Sequence, residues 1–134
     1  MTATKEAPFV TVTKTIRIEV VPTYNPEQSR PWASLYVYNY TITITNEGDN
    51  TVQLLSRHWI IKDGFEKVEH VQGDGVIGQQ PSIKAGESFS YTSSCPLQTP
   101  TGSMQGSYQM RGADNKVFNV QIGEFFLRHK SLLN

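Results

Sequence analysis

The sequence contains a single cysteine, Cys95, among 134 residues. One thiol cannot form an intramolecular disulfide, and a zinc site built from cysteines is excluded. No apolar run approaches the ~20 residues that a membrane helix needs. The first residues, Met1 to Glu6, also lack the apolar segment of a signal peptide. We therefore expect a cytoplasmic protein with no membrane partner.

An excess of charge of either sign is also absent. Twelve Lys and Arg residues balance twelve Asp and Glu residues, so the formal net charge is zero at pH 7. A nucleic-acid partner bound through phosphate neutralisation is therefore not expected, although a local basic patch stays open. The length fits one domain. We place it at residues 1–134, with an ordered core at about 12–127 and short flexible termini.

No long amphipathic helix can be recognised, and apolar and polar residues alternate instead, which is typical of half-buried strands. The alternation is clearest from Leu35 to Thr45. It predicts seven strands, near residues 16–20, 35–45, 52–61, 67–71, 89–91, 104–111 and 118–122. Short antiparallel strands with one apolar face each favour two packed sheets. We predict an all-β, seven-stranded antiparallel sandwich of the immunoglobulin or fibronectin type III kind, with a closed barrel as the alternative.

The third and fourth predicted strands carry two local signals. The alternation breaks at Leu54-Leu55, which predicts a β-bulge. Asp63-Gly64 begins a hairpin turn. If the hairpin is symmetric about Gly64, His58 and His70 face each other, and a two-histidine metal site becomes conceivable; the sequence does not determine this register.

A glycine-rich string follows this hairpin and matches the dinucleotide-binding fingerprint by its letters. That fingerprint works only between a strand and a helix, whose N-terminus holds the pyrophosphate. Pro81 follows closely and no helical period begins, so we predict a tight connection that uses glycines at positive φ. A backbone anion nest is the open alternative. The candidate ligand residues of this loop are Gly73, Asp74, Gly75, Gly78 and Pro81.

Three predicted connections would lie at one end of an up-and-down sandwich, at residues 46–50, 72–86 and 112–115. They would bring together four carboxylates, from Glu47, Asp49, Asp74 and Asp114. Carboxylates on loops are the ligands that hard divalent cations prefer, so a weak magnesium-type site is one hypothesis. Turns also select these residue types for backbone reasons, and an extra short strand near Ile83 would scatter the set.

Catalytic chemistry has little support in the sequence. Ser93, Ser94 and Cys95 come at the end of a strand, and no local pattern places a base beside them. No pair of carboxylates stands out as an acid–base couple. We therefore predict no catalytic residues, no cofactor and no enzymatic activity.

Three strings together resemble the ApaG family of bacterial proteins over nearly the whole chain. The first is the family's Arg-His-Trp, and the second is its Gly-x-Gly-Val-Val-Gly with a following proline. The third is its Thr-Pro-x-Gly-x-Met-x-Gly-x-Tyr-x-Met. In this sequence they stand at Arg57, His58 and Trp59; at Gly73, Gly75, Gly78 and Pro81; and at Pro100, Gly102, Met104, Gly106 and Tyr108. Gln79 departs from the pattern, because many relatives carry an acidic residue there.

The resemblance implies a fibronectin-like sandwich, in agreement with the strand pattern. It also implies links to cobalt resistance, magnesium efflux and diadenosine polyphosphate metabolism, and a protein-binding role in related domains. None of these associations identifies a mechanism. We expect a noncatalytic module that binds a protein partner. The alternative is a protein that binds a divalent cation, a phosphate compound or another small ligand. The partner's identity and homo-oligomer formation are left open.

Overall fold

The computed structural model describes residues 8–130, and nine β-strands lie within that range. A single 3-10 turn at Pro31–Ala33 precedes the third strand. The strands are β1 (Phe9–Thr13), β2 (Ile16–Tyr24), β3 (Tyr36–Asn46), β4 (Val52–Asp63), β5 (Val68–Asp74), β6 (Ser82–Ile83), β7 (Ser88–Leu97), β8 (Gly102–Arg111) and β9 (Val117–Leu127).

The strands form two antiparallel sheets. One sheet has the order β1-β2-β3-β7, and the other has the order β5-β4-β8-β9, with β6 also paired to β4. Apart from β1 and β6, this is the A-B-E and C′-C-F-G arrangement of immunoglobulin-like sandwiches. The predicted all-β sandwich is confirmed, and the crossover from β3 to β7 shows that the chain is not a simple up-and-down series.

The predicted count of seven strands is wrong, because β1 and β6 were missed. β1 begins at Phe9, before the predicted start of the core, and its five residues pair with β2. β6 has only two residues, with Ile83 opposite Val52, so it is too short to give an alternation signal. β2 also runs past Pro22. This proline lies beyond the part of β2 that β1 covers, where a missing N–H removes no bond to β1.

The core lies between the sheets and is rich in aromatic residues at its centre. Trp59 is only 3% exposed. Its ring packs against those of Tyr40, Tyr108 and Phe125, at centroid distances of 5.5, 6.3 and 5.8 Å. Such edge-to-face packing is favoured by the ring quadrupoles. Trp59 therefore connects both sheets and holds the middle of β4 in place.

The register of the β4–β5 hairpin differs from the symmetric pairing about Gly64. His58 lies opposite Gln72, and His70 lies opposite Ile60. The turn is longer than expected because the Oδ1 atom of Asp63 accepts hydrogen bonds from two backbone N–H groups beyond it, each at 2.9 Å. Both histidines nevertheless stay on the outer face, since parity is unchanged. The predicted bulge is confirmed by a register shift between Leu54 and Ser56.

Candidate functional site

The two long sides of the sandwich differ in whether their strand edges are covered. On one side β1 lies against β9, and two threonine hydroxyls of β1 accept hydrogen bonds from β9 backbone N–H groups. Thr11 accepts from Gly123 at 2.8 Å, and Thr13 accepts from Gln121 at 3.0 Å. On the other side, among residues 8–130, β5 pairs only with β4, and β7 pairs only with β3. That side therefore presents two strand edges without a neighbouring strand.

A groove lies between these two edges, and we call it the β5–β7 groove. Its upper cavity, of about 280 Å³, is lined by residues of both sheets and by the glycine-rich turn. Its lower cavity measures about 310 Å³. The upper lining includes Tyr40, Arg57, Trp59, Tyr91, Ser93 and the turn residues Val76, Ile77 and Gly78. The lower lining includes Leu35, Ile61, Lys67, Glu69, Pro96 and Leu97.

Arg57 is the only cationic side chain that lines the upper cavity. It lies on the inner face of β4, and its Nη1 donates to the carbonyl oxygens of Asp74 and Gly75, at 3.0 and 2.9 Å. Within residues 8–130 the one ion pair joins Arg17 to Glu19, so Arg57 has no carboxylate within 4 Å. Its positive charge is therefore held in place by backbone carbonyls and forms no ion pair with Asp74, the carboxylate that lines the same cavity.

Tyrosine hydroxyls extend from this arginine into the core. The hydroxyls of Tyr91 and Tyr108 are 2.5 Å apart, and that of Tyr40 bonds to Ser93. Burial raises the pKa of all three tyrosines above the usual value, while the nearby Arg57 charge opposes the rise. At neutral pH these hydroxyls are therefore protonated. They are hydrogen-bonding groups of the groove, and none of them is poised to act as a base.

The glycine-rich turn is a tight hairpin, and its central residues Ile77 and Gly78 both have positive φ values, of 44° and 78°. Such a turn matches the twist of short hairpins. Val76 and Gln79 exchange backbone hydrogen bonds at 2.8 and 2.9 Å, so their N–H groups are not available to an anion. Ile77 was not singled out by sequence reasoning. A β-branched residue in this conformation is uncommon and is typical of functional sites.

Two positions in the turn region require glycine, each for a different steric reason. Gly75 has φ 61°, and a Cβ there would lie 2.1 Å from the carbonyl oxygen of Gln79. A Cβ on Gly73 would lie 2.8 Å from Nη1 of Arg57. The predicted use of positive φ is confirmed at Gly75 and Gly78. Gly73 instead leaves room for the arginine. Pro81 only accepts a backbone hydrogen bond, from Leu54 at 3.0 Å.

The third sequence string has a packing role. The carbonyl oxygen of Pro100 accepts a hydrogen bond from the Tyr38 hydroxyl at 2.6 Å. Gly106 lies opposite Trp59, and a Cβ there would lie 2.0 Å from the carbonyl oxygen of His58. Gly102 is similarly crowded by β4, and Met104 and Tyr108 are buried. This string therefore brings β8 close to β4, and only the Tyr108 hydroxyl extends toward the groove.

The four predicted carboxylate ligands do not form one site. Glu47, Asp49 and Asp114 line one cavity, together with Lys14 and Lys116, whereas Asp74 lies near Arg57. The chain path explains the difference, because β5 extends to Asp74 and the short strand β6 follows. In the part of the chain that is described, no group of three or more His, Cys, Asp or Glu residues could hold a metal ion. The prediction of a four-carboxylate site is therefore wrong.

The two histidines do come together on the outer face of the second sheet. Nε2 of His58 lies 3.0 Å from Nδ1 of His70, and the ring centroids are 5.2 Å apart. The residues lie diagonally across β4 and β5 and are not in register. Long side chains reach such diagonal neighbours. The pair lies on the opposite face of the sheet from the β5–β7 groove.

Tyr40, Tyr91 and Ser93 were missed as groove residues. Their strand parity does predict that they point inward. The sequence does not show that β7 pairs with β3 and that β5 pairs with β4. This pairing leaves the other edges of β5 and β7 open.

No helix within residues 8–130 is long and apolar enough to span a membrane.

Comparison with known proteins agrees with this architecture. The family model described as the ApaG domain matches residues 26–112, more than half of the chain. The chain belongs to the ApaG family. Protein ApaG of Bordetella pertussis is 51% identical over 112 residues, which are 84% of this chain and 86% of that protein. Protein ApaG of Caulobacter vibrioides is 49% identical over 115 residues, covering 86% and 82% of the two chains.

A solved structure extends the ApaG comparison to the fold. The crystal structure of the ApaA protein of Bordetella pertussis superposes with a TM-score of 0.84 at 46% sequence identity. The match covers 93% of this chain and 98% of that one. The sandwich and its nine strands therefore belong to an ApaG-family fold, and Arg57, Trp59 and the glycine-rich turn take their positions within it.

Proposed function

We propose that the protein is a noncatalytic binding module of the cytoplasm that holds an extended segment of a protein partner in the β5–β7 groove. The observation that carries this proposal is the pair of open strand edges on the same side of the sandwich. An extended peptide satisfies such an edge by adding a strand, and pockets beside the edge then select its side chains.

The groove indicates the chemistry of this segment. Leu35, Ile61 and Leu97 give the lower cavity an apolar lining, which suits an aliphatic or aromatic side chain. Arg57 gives the upper cavity a positive charge that forms no ion pair, although Asp74 lines the same cavity, and this charge suits a carboxylate of the partner. We therefore expect the partner segment to carry an apolar residue and an acidic residue on the same face, with even spacing along the strand.

The noncatalytic part of the proposal rests on the titration of the groove's side chains. Burial raises the pKa of Cys95 to about 12, so its thiol is protonated and unreactive at neutral pH. Burial also raises the pKa values of Tyr40 and Tyr91. A nucleophile needs a base beside it, and these groups do not supply one.

Site-specific photo-crosslinking in cells tests the proposal. A photoreactive residue at position 69 of β5 faces the groove. A matched control at position 121 is an exposed position on β9. We expect one discrete adduct from position 69, weaker adduct formation when Arg57→Ala is added, and no such adduct from position 121. Equal adducts from both positions, or adducts from position 121 alone, would contradict the groove as the binding site.

A small anionic ligand is the second candidate, and the absence of an ion-pair partner for Arg57 within residues 8–130 favours it. Titration with pyrophosphate and with ATP, followed by NMR, distinguishes it from the protein partner. Under the partner proposal the resonances of residues 75–79 stay unchanged at millimolar ligand. Saturable shifts there that are lost in Arg57→Gln would favour the anion. A divalent cation has less support, because Lys14 and Lys116 share the cavity of the remaining carboxylates.

A further inference from the structure

We propose that His58 and His70 together form a bidentate site for a divalent transition-metal ion of the Zn²⁺, Ni²⁺ or Cu²⁺ class. The site is separate from the β5–β7 groove, because both imidazoles lie on the outer face of the second sheet. It rests on the 3.0 Å separation between Nε2 of His58 and Nδ1 of His70.

This separation agrees with the geometry of two imidazoles on one metal. With metal–nitrogen bonds of about 2.0–2.1 Å, two nitrogens at a right angle are about 2.9 Å apart, and two at a tetrahedral angle are about 3.4 Å apart. The observed distance lies between these values. In the metal-free protein one nitrogen donates its hydrogen to the other. A metal ion replaces that proton once both rings rotate so that their lone pairs converge on it.

The strands hold the two nitrogens close before any metal arrives. His58 is on β4 and His70 is on β5, and backbone pairing at Ile60↔His70 and His58↔Gln72 fixes the distance between their Cα atoms. A chelate formed across two paired strands therefore needs little further ordering of the backbone, which favours binding. The exposed edge position of His70 leaves the remaining coordination positions open to water.

The surroundings suit a soft divalent ion better than Mg²⁺ or Ca²⁺. The cavity beside the pair, of about 460 Å³, is lined by the hydroxyl and amide side chains of Ser56, Gln72, Ser107, Gln109 and Asn119, and it also holds one cation, Arg57, and one carboxylate, Asp74. Imidazole nitrogens are preferred by Zn²⁺, Cu²⁺ and Ni²⁺, whereas hard cations prefer several carboxylate oxygens. Gln72 lies directly opposite His58 and offers an amide oxygen as a neutral third donor.

Isothermal titration calorimetry with Ni²⁺, Cu²⁺ and Zn²⁺ on the full chain tests the site. The variants are His58→Gln and His70→Gln, and His129→Gln is the matched control because it removes the third histidine. We expect one ion per chain, an affinity at least tenfold weaker in either of the first two variants, and no change in the control. The wild-type protein should bind Cu²⁺ with higher affinity than either Zn²⁺ or Ni²⁺.

A chelate differs from two separate histidine sites in how the single variants behave. If each histidine binds by itself, His70→Gln halves the stoichiometry and leaves the affinity of the remaining site unchanged, which would overturn the proposal. Unchanged binding in both variants would overturn it as well. Zn²⁺ should also raise the Tm of the wild-type chain and not that of His70→Gln. Since His70 is exposed, this variant is expected to fold, as circular dichroism can check.

Discussion

Replacing Trp59 with alanine should destabilise the sandwich strongly. A buried tryptophan removes about 200 Å² from water, which at ~25 cal/mol per Å² corresponds to about 5 kcal/mol. Allowing for the compactness of unfolded chains lowers this to about 3–4 kcal/mol. Trp59 is 3% exposed and contacts aromatic rings on three sides. The neighbouring strands cannot close over the empty space, so the upper part of this range is expected.

Urea unfolding followed by far-UV circular dichroism measures this loss, because the signal does not depend on the removed indole. Trp32→Ala is the matched control, since Trp32 is 81% exposed. The free energy of unfolding of Trp32→Ala should differ from that of the wild-type protein by less than about 0.5 kcal/mol. A loss below about 1 kcal/mol for Trp59→Ala would refute the reasoning, because it would show that the side chain is not packed between the sheets.

Four further predictions concern two glycines, nucleotide binding, the buried tyrosines and the thiol. Gly75→Ala should cost more than about 2 kcal/mol in urea unfolding, from positive φ and the clash with the Gln79 carbonyl. Gly86→Ala has a similar φ and open space, so it should cost about 1 kcal/mol; equal losses would show that no clash exists. Neither NAD nor ATP should bind with micromolar affinity, and such binding abolished by Gly75→Val would contradict the structural role of the turn. Stability should fall as the pH rises above about 10, by up to about 1.4 kcal/mol per pH unit for each buried tyrosine. Tyrosines of the unfolded chain ionise above pH 10, whereas burial raises the pKa of Tyr38 to about 12 in the folded protein and also raises those of Tyr91 and Tyr108. Unfolding free energies that are equal at pH 8 and pH 11 would contradict this prediction. Cys95 should react with a thiol reagent at pH 8 only after unfolding, and rapid labelling of the native chain would show that the thiol is accessible.

Local patterns in the sequence predicted the sandwich well. Residues Tyr36 to Thr45 alternate so regularly that strand β3 and its inward face follow from parity alone. The double leucine at 54–55 predicted the bulge, because an extra residue must interrupt the alternation. These features depend on residues close together in the chain.

Features that depend on pairing between distant strands were not predictable. The crossover from β3 to β7 decides which edges stay open, and no local pattern encodes it. The four-carboxylate hypothesis failed because β5 carries Asp74 to the cavity of Arg57, and the two-residue strand β6, which gives no alternation signal, then follows it. The histidine pair shows the opposite case. The sequence left the hairpin register open. The observed register is not symmetric about Gly64, yet the diagonal pairing of β4 and β5 places His58 and His70 together.

The central claim is that β5 and β7 receive the partner, and hydrogen–deuterium exchange of the complex tests it most directly. The partner identified by crosslinking would be purified with the full chain, and backbone exchange would be compared in the free and bound states. We predict slower exchange on binding in residues 68–74 and 88–97, whose outer edges have no neighbouring strand, and no change in residues 9–13. Protection confined to residues 9–13 and β9, with both open edges unchanged, would contradict the claim.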